Sequence, residues 1–233
     1  MFKFKRVLIK VSGESLAGAS HSGIDADSVR KLATELKQAS ELGVEIGVVV
    51  GGGNFWRGRS DNSMDRGVAD YIGMLATVMN GLALGEALKS VGADCTVMSA
   101  IAMDKIAEPY QLQKAQSYLS QGKIVVFCGG TGSPYFSTDT AVALRACEMH
   151  ADAMLCAKNI DGVYDSDPKF NANAKKFEEL TFDDVLKMNL KVLDQTAVAM
   201  CREYSLPVVV FGMAEPDGVK KVLSGKKIGT LIK

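Results

Sequence analysis

The sequence predicts an α/β fold with a mainly parallel sheet and helices on both of its faces. Short apolar runs rich in Val, Ile and Leu recur along the chain and are continuous rather than alternating. Between them lie longer stretches with apolar residues at helical spacing. A strand buried on both faces gives such a continuous run, and parallel neighbours need a crossover, usually a helix. The 233 residues, 47% of them hydrophobic, suffice for one large domain, here taken as residues 1–233.

Arg6–Val11 (RVLIKV) is the first expected strand. Ser28–Leu42 follows with apolar residues at Val29, Leu32, Ala33, Leu36 and Ala39, a helical pattern that Asp25 or Asp27 can cap. Glu45–Val50 is the second strand. From Asp65 to Val91 a long helical pattern carries Gly67, Gly73, Gly81 and Gly85. Each glycine inside a helix costs about 1 kcal/mol relative to alanine, so close backbone packing is expected there. The apolar residues Val68, Ile72, Leu75, Val78, Met79 and Leu82 suit a buried helix, or one that is also a subunit contact. Further strands are expected at Thr96–Ser99, Ile124–Phe127, Met154–Ala157, Val208–Phe211 and Thr230–Ile232. Helices are expected near Gln111–Gln121, Thr140–Met149, Phe182–Met188, Thr196–Tyr204 and Gly218–Leu223. The loop-rich stretch Asp161–Lys176 either begins a C-terminal lobe or, more simply, interrupts one continuous sheet.

Composition narrows the function. Basic and acidic residues number 27 each, so the chain lacks the basic surplus that nucleic acid binding normally needs. The opening MFKFKRVLIKVSGES lacks the long apolar core of a signal peptide, and no apolar run approaches the roughly 18 residues that cross a bilayer. A soluble, cytoplasmic chain without a membrane partner is expected. Cys95, Cys128, Cys147, Cys156 and Cys201 form no C-x-x-C pair, which suits reduced, mostly buried thiols. With His21 and His150 the only histidines, a His-rich zinc site is ruled out, and His150 is expected at a helix end. A metal here would be an oxygen-liganded cation such as Mg²⁺.

In a parallel sheet, ligands bind beyond the carboxyl ends of the strands, and four loops leave strands there. VVVGGGNFWRG (Val48–Gly58) fails as a dinucleotide fingerprint: Trp56 replaces the third glycine, and Asp70, at the right distance for the acid, sits inside a helical pattern. Gly225-Lys226-Lys227-Ile228 likewise breaks a P-loop. The remaining glycines can offer N–H groups to an anion and Arg57 a bidentate fork, or the run is a plain glycine turn. In KVSGES (Lys10–Ser15), Lys10 lies inside an apolar strand and either snorkels or meets an anion, with Gly13 giving backbone reach. CGGTGSPYFSTDTA (Cys128–Ala141) joins glycines and hydroxyls to two aromatics that could stack on a base. Its Asp139 orients a lysine, helps to hold Mg²⁺, or caps a helix. AKNIDGVYDSDP (Ala157–Pro168) has turn chemistry, and Tyr164 could flank an adenine. Together, and without a histidine, the loops suit two phosphate-bearing ligands side by side and phosphoryl transfer between them.

These loops, with ADYIGMLATVMNGLAL and KVLDQTA, resemble the bacterial-type UMP kinases of the amino acid kinase superfamily along essentially the whole chain. The resemblance implies a three-layer α/β/α sandwich and the reaction ATP + UMP → ADP + UDP with Mg²⁺, in pyrimidine nucleotide biosynthesis. It implies a homohexamer, a trimer of dimers joined through the long helix, with GTP activation and UTP inhibition. Catalytic roles fall to Lys10, Arg57, Asp139 and Asp194, with no firm protein ligand for the metal, which ATP phosphates mainly hold. Lys10, Val11, Ser12, Gly13, Gly53, Arg57, Lys158, Asn159, Tyr164 and Asp167 would hold ATP, the choice between Lys158 and Asn159 staying open. Gly52, Asp70, Thr131, Gly132, Ser133, Pro134, Tyr135, Phe136, Ser137 and Thr138 would hold UMP, Asp70 on its ribose hydroxyls. Gly18, Ala19, Ser20, His21, Ser22 and Gly23 lie where GTP would bind. Ser133, Tyr135 and Ser137 replace the family's commoner Asn, Phe and Thr. Another amino acid kinase, acting on a carboxylate or carbamate, would need a cationic pocket where Asp70 lies. A non-catalytic nucleotide-binding protein of the same fold would be expected to lack Lys10 or Asp139.

Overall fold

The computed structural model describes residues 4–56, 64–213 and 215–233. In chain order the elements are β1 (Arg6–Val11), α1 (Ala26–Ser40), β2 (Glu45–Val50), α2 (Arg66–Ser90), β3 (Cys95–Ser99) and β4 (Glu108–Pro109). There follow α3 (Leu112–Ser120), β5 (Ile124–Cys128), α4 (Thr138–Glu148), β6 (Ala153–Lys158), β7 (Val163–Tyr164) and β8 (Lys176–Phe177). The chain closes with β9 (Glu179–Leu180), α5 (Phe182–Lys187), α6 (Gln195–Glu203), β10 (Val208–Gly212), α7 (Gly218–Leu223) and β11 (Thr230–Ile232). Among the described residues one sheet runs β4-β3-β5-β2-β1-β6-β10-β11-β9, parallel except where β11 meets β10. The stretch from Asp161 to Lys176 is an excursion closed by the separate β7–β8 pair, and the main sheet continues beyond it.

The pleat divides the core into two. Val7, Ile9 and Val11 of β1 pack with Val29, Ala33 and Leu36 of α1, with Leu84 and Leu88 of α2, and with Val219 and Val222 of α7. Leu8 faces the other way, toward Leu119 of α3, Val142 and Ala146 of α4, Phe182 of α5 and Val198 of α6. Lys10 shares the alternation of Leu8, so its side chain emerges on the α4 side. This is the three-layer arrangement expected from the apolar runs.

Caps set the helix starts. Asp25, not Asp27, caps α1, accepting from Ser28 N at 2.8 Å. His150 follows α4 in a left-handed conformation (φ 52), the helix-end place expected of it. The five cysteines are all free thiols, and burial pushes Cys128 and Cys156 up to about 12.

The glycines of α2 have distinct reasons. A Cβ on Gly85 would lie 2.5 Å from Val97, and one on Gly81 would lie 3.0 Å from Cys128, so both let the helix sit close on β3 and β5. By length and composition α2 could cross a membrane, contrary to the expectation that no such segment exists. One face is nevertheless packed on the sheet, and the helix carries Asp70 into the smaller of two clefts at the strand ends. Its outer face keeps Val68, Tyr71, Leu75, Met79 and Leu82 between 37% and 52% exposed, an apolar stripe at helical spacing.

Candidate active site

The four glycine- and hydroxyl-rich loops leave four adjacent strands, β5, β2, β1 and β6, at their carboxyl ends. They surround two clefts. One, of about 390 Å³, lies between the β2 loop, α2 and the start of α4. The other, of about 1010 Å³, lies beside β6 and the excursion after it. Lys10 and Ser12 line both.

At this junction Lys10 Nζ lies 2.7 Å from Asp139 Oδ1, each side chain 17% exposed. Burial is the largest single influence and works against the lysine's charge, but Asp139, Cys156 and Asp194 together outweigh it and the Lys10 pKa stands above its ordinary value. Lys158 ends β6 and donates to the Val192 carbonyl. Burial lowers its pKa; Asp139 opposes that shift and the neighbouring Lys10 adds to it. Two lysines and the Asp139 carboxylate therefore meet where the clefts join, with both ammonium groups placed to face phosphate.

The helix ends behind the junction are tied together. Ser137 caps α4, accepting from Asp139 N at 3.0 Å, and donates its own proton to Asp194. Asp194 also accepts from Thr140 Oγ1 at 2.9 Å and caps α6 through Ala197 N at 2.8 Å. It thus clamps the starts of α4 and α6 and adds negative charge near Lys10. Ser137, expected on UMP, lines the smaller cleft, and its hydroxyl takes part in this clamp.

Gly13, Gly53, Asp70, Ser133, Phe136 and Thr138 line the smaller cleft. Asp70 is held from two sides: Arg66 Nε reaches both carboxylate oxygens at 2.9 Å, and Tyr135 N donates to one of them at 2.8 Å. Tyr135 has φ 71 and turns its ring out, 68% exposed, so its backbone rather than its ring serves the cleft. Thr131 folds onto Ser133, accepting from its N–H and donating to its carbonyl. Thr131, Gly132, Pro134 and Tyr135 do not line the cleft itself. Gly52 borders the cleft, but a Cβ there would strike Gly73 O of α2 at 2.6 Å, so this glycine admits the helix. At Gly53 the nearest atom among the described residues would be 3.9 Å away, which leaves room beside its backbone for a ligand.

Lys158, Asn159, Tyr164 and Asp167 line the larger cleft. Of the two neighbours that could face ATP, Lys158 donates to the Val192 carbonyl and feels the charges of Asp139 and Lys10, while Asn159 Nδ2 reaches out to Glu14 at 3.5 Å. Tyr164 donates to Asp161 at 2.7 Å. Val11 is buried in the sheet and bears on the site through its carbonyl, which accepts from Gly51 N at 2.8 Å. Arg57 lies outside the described residues. Gly18–Ser20 form a short 3-10 turn that, with His21, Ser22 and Gly23, lines neither cleft.

Some lining residues were not among the expected site residues. Trp56, Met74 and Thr77 border the smaller cleft, and Thr77 Oγ1 anchors the β5 loop by accepting from Gly129 N at 2.7 Å. The Trp56 indole Nε1 is buried without a hydrogen-bond partner among the described residues. The Arg66–Asp70 pair could have been found from its i,i+4 spacing.

A family model described as the amino acid kinase family matches residues 5–212. The chain is 40% identical to the UMP kinase of Bacillus anthracis, with a TM-score of 0.95 over 99% of this chain and 96% of that one. It is 39% identical to the UMP kinase of Ureaplasma parvum, with a TM-score of 0.93 over 98% of both chains. The uridylate kinase of Archaeoglobus fulgidus is 25% identical, with a TM-score of 0.74 over 97% of this chain and 99% of that one.

Proposed function

The chain belongs to the amino acid kinase family, in the branch of the bacterial UMP kinases, and from that membership we propose that it transfers the terminal phosphoryl group of ATP to UMP. The observation that carries this is the meeting of two clefts at Lys10, Asp139 and Lys158. UMP occupies the smaller cleft, its ribose hydroxyls donating to Asp70 and its phosphate beside Gly53. ATP occupies the larger, with Tyr164 and Asp167 around its base and ribose and its terminal phosphate at the junction.

A UMP phosphate oxygen attacks the terminal phosphorus, and the bond to the bridging oxygen breaks, its electron pair leaving with ADP. The attacking oxygen needs no general base, because a phosphate monoester loses its second proton at about pH 6. That accounts for a site built without histidine. The work left is positioning and charge stabilisation. Lys10 bridges donor and acceptor, Asp139 fixes the lysine, and Lys158 adds a second cation behind the transferred group.

Mg²⁺ fits as an ion carried on the nucleotide. Among the described residues no group of three or more His, Cys, Asp or Glu side chains could hold it alone, and Asp139 is the carboxylate at the junction. Bound there, it would neutralise phosphate charge.

The outer stripe of α2 supports assembly through that helix into dimers and, by family likeness, a hexamer. GTP activation, UTP inhibition and a cytoplasmic setting belong to the same proposal. Sedimentation reads the assembly, and titration of the initial rate with each nucleotide reads the regulation. The deciding experiment offers UMP, CMP, AMP, acetylglutamate and carbamate in parallel with MgATP and follows ADP. Fast release with UMP is expected; release with acetylglutamate but not UMP would sink the proposal.

Asp70→Asn is expected to weaken UMP binding about tenfold or more, the order of a lost hydrogen bond to a charged group. ATP affinity should stay within about twofold, since Asp70 lines only the smaller cleft. Trp56, the single tryptophan, borders that cleft and gives a fluorescence readout of UMP binding. Equal weakening of both nucleotides would remove Asp70 from the ribose.

A further inference from the structure

Two buried asparagines take no part in the chemistry above, yet they sit directly beneath it. Asn54, in the turn after β2, is 4% exposed; Asn80, in the middle of α2, is fully buried. Their carboxamides face each other and bond reciprocally: Asn54 Nδ2 donates to Asn80 Oδ1 at 3.0 Å, and Asn80 Nδ2 donates to Asn54 Oδ1 at 2.7 Å. The two remaining amide protons are also used. Asn80 Nδ2 donates to Gly51 O at 2.7 Å, and Asn54 Nδ2 donates to Gly23 O at 2.6 Å. Gly23 N returns a bond to Asn54 O at 3.2 Å.

Burying two carboxamides is costly unless every donor is matched, and here each one is. Plain packing would be served as well by an apolar pair, so what the amides add is direction. The pair joins the first glycine of the phosphate loop, the body of α2 and the turn that ends at Gly23. It also abuts the β1 loop: a Cβ on Gly13 would lie 2.4 Å from Asn54 Oδ1.

We infer that Asn54 and Asn80 are positioning residues for phosphoryl transfer: their reciprocal amide pair fixes the height of the Gly51–Gly53 floor against α2 and makes the turn at Gly23 part of the same rigid unit. The kinetic side of this rests on the kinase assignment; the structural side does not. Neither side chain touches a nucleotide in this scheme, so its loss acts on rate more than on affinity.

The test uses the full chain with Asn54→Ala, Asn80→Ala, the double variant and the milder Asn54→Ser. Each is assayed where its melting curve shows it folded. Each single alanine variant is expected to lower kcat about tenfold or more, as small misplacements at a reacting centre do, with KM for UMP and ATP within about threefold. The double variant should be no slower than the worse single, because the pair acts as a unit. Without nucleotide, hydrogen exchange should rise at residues 51–53 and 23 while β1 and β6 stay protected. A lowered melting temperature with wild-type kcat would reduce the pair to packing and overturn the inference. So would additive losses in log kcat, or unchanged exchange at residues 51–53 and 23. Should the wild type not phosphorylate UMP, the kinase assignment fails, and exchange alone decides the positioning claim.

Discussion

Lys10→Ala is expected to lower kcat by about two to three orders of magnitude, the scale seen when one preorganised charge or donor is removed from a developing anion. KM for UMP should change by no more than about threefold, because the lysine's main contacts form as the phosphoryl group moves. The loss has two parts. The bridging cation disappears, and the Asp139 carboxylate, 2.7 Å from Lys10 Nζ in the wild type, is left to repel the phosphates. Lys10→Arg keeps the charge but replaces a compact ammonium with a planar fork, so partial recovery is expected. Initial rates of ADP release with a parallel melting curve separate chemistry from unfolding. An unaltered kcat in folded Lys10→Ala would remove Lys10 from the reacting centre.

The same pair sets a pH expectation. The folded pKa of Lys10 is raised, so the stability from its ion pair is fully present below the ordinary lysine value of 10.5 and fades only as pH rises through the raised value. The pKa of Lys158 is lowered, so it sheds its proton first. The alkaline fall in rate therefore begins at Lys158, while the Lys10–Asp139 pair is still intact.

The second large effect belongs to Gly13→Ala. The added methyl would lie 2.4 Å from Asn54 Oδ1, 2.8 Å from Gly53 N and 2.9 Å from Gly51 O. Two of these atoms are backbone, and the third is fixed by Asn80, so none is a flexible end that can step aside. The β1 and β2 loops must separate, which spreads the phosphate site itself. We expect kcat/KM to fall about a hundredfold, the scale of an ångström's misplacement. Stability should fall by about 1–3 kcal/mol, as overpacking does. Gly53→Ala is the control for stability, since its nearest atom would be 3.9 Å away, and its melting temperature should match the wild type. A Gly13→Ala protein with wild-type rate and melting temperature would show that the loops are slack.

The sheet was legible because its central strands are buried on both faces. Val208–Gly212 and Ile124–Cys128 are buried at every position, and so short an unbroken apolar run suits a central parallel strand better than a helix. The two-residue strands β4, β7, β8 and β9 were not foreseen, since two residues carry no period. The four loops were legible because glycine and hydroxyl runs at strand ends are a local signal. What those glycines touch was not. Gly52 and Gly53 are neighbours with the same composition signal, yet one admits a helix and the other opens to the cleft. Ser137 likewise reads only as a cleft hydroxyl, and its second tie, to Asp194 57 positions away, carries no local signal. The Asn54–Asn80 pair depends on two rotamers brought together by the β2–α2 crossing, which periodicity does not encode.

The two clefts divide the chain as well as the site. Every described residue lining the smaller one lies between Lys10 and Asp139, and apart from Lys10 and Ser12 every described residue lining the larger lies between Ala157 and Met213. On the proposed assignment, donor and acceptor would be recognised by separate halves of the chain that share one lysine and one serine. A lineage can recut the first stretch for a new acceptor without disturbing the second.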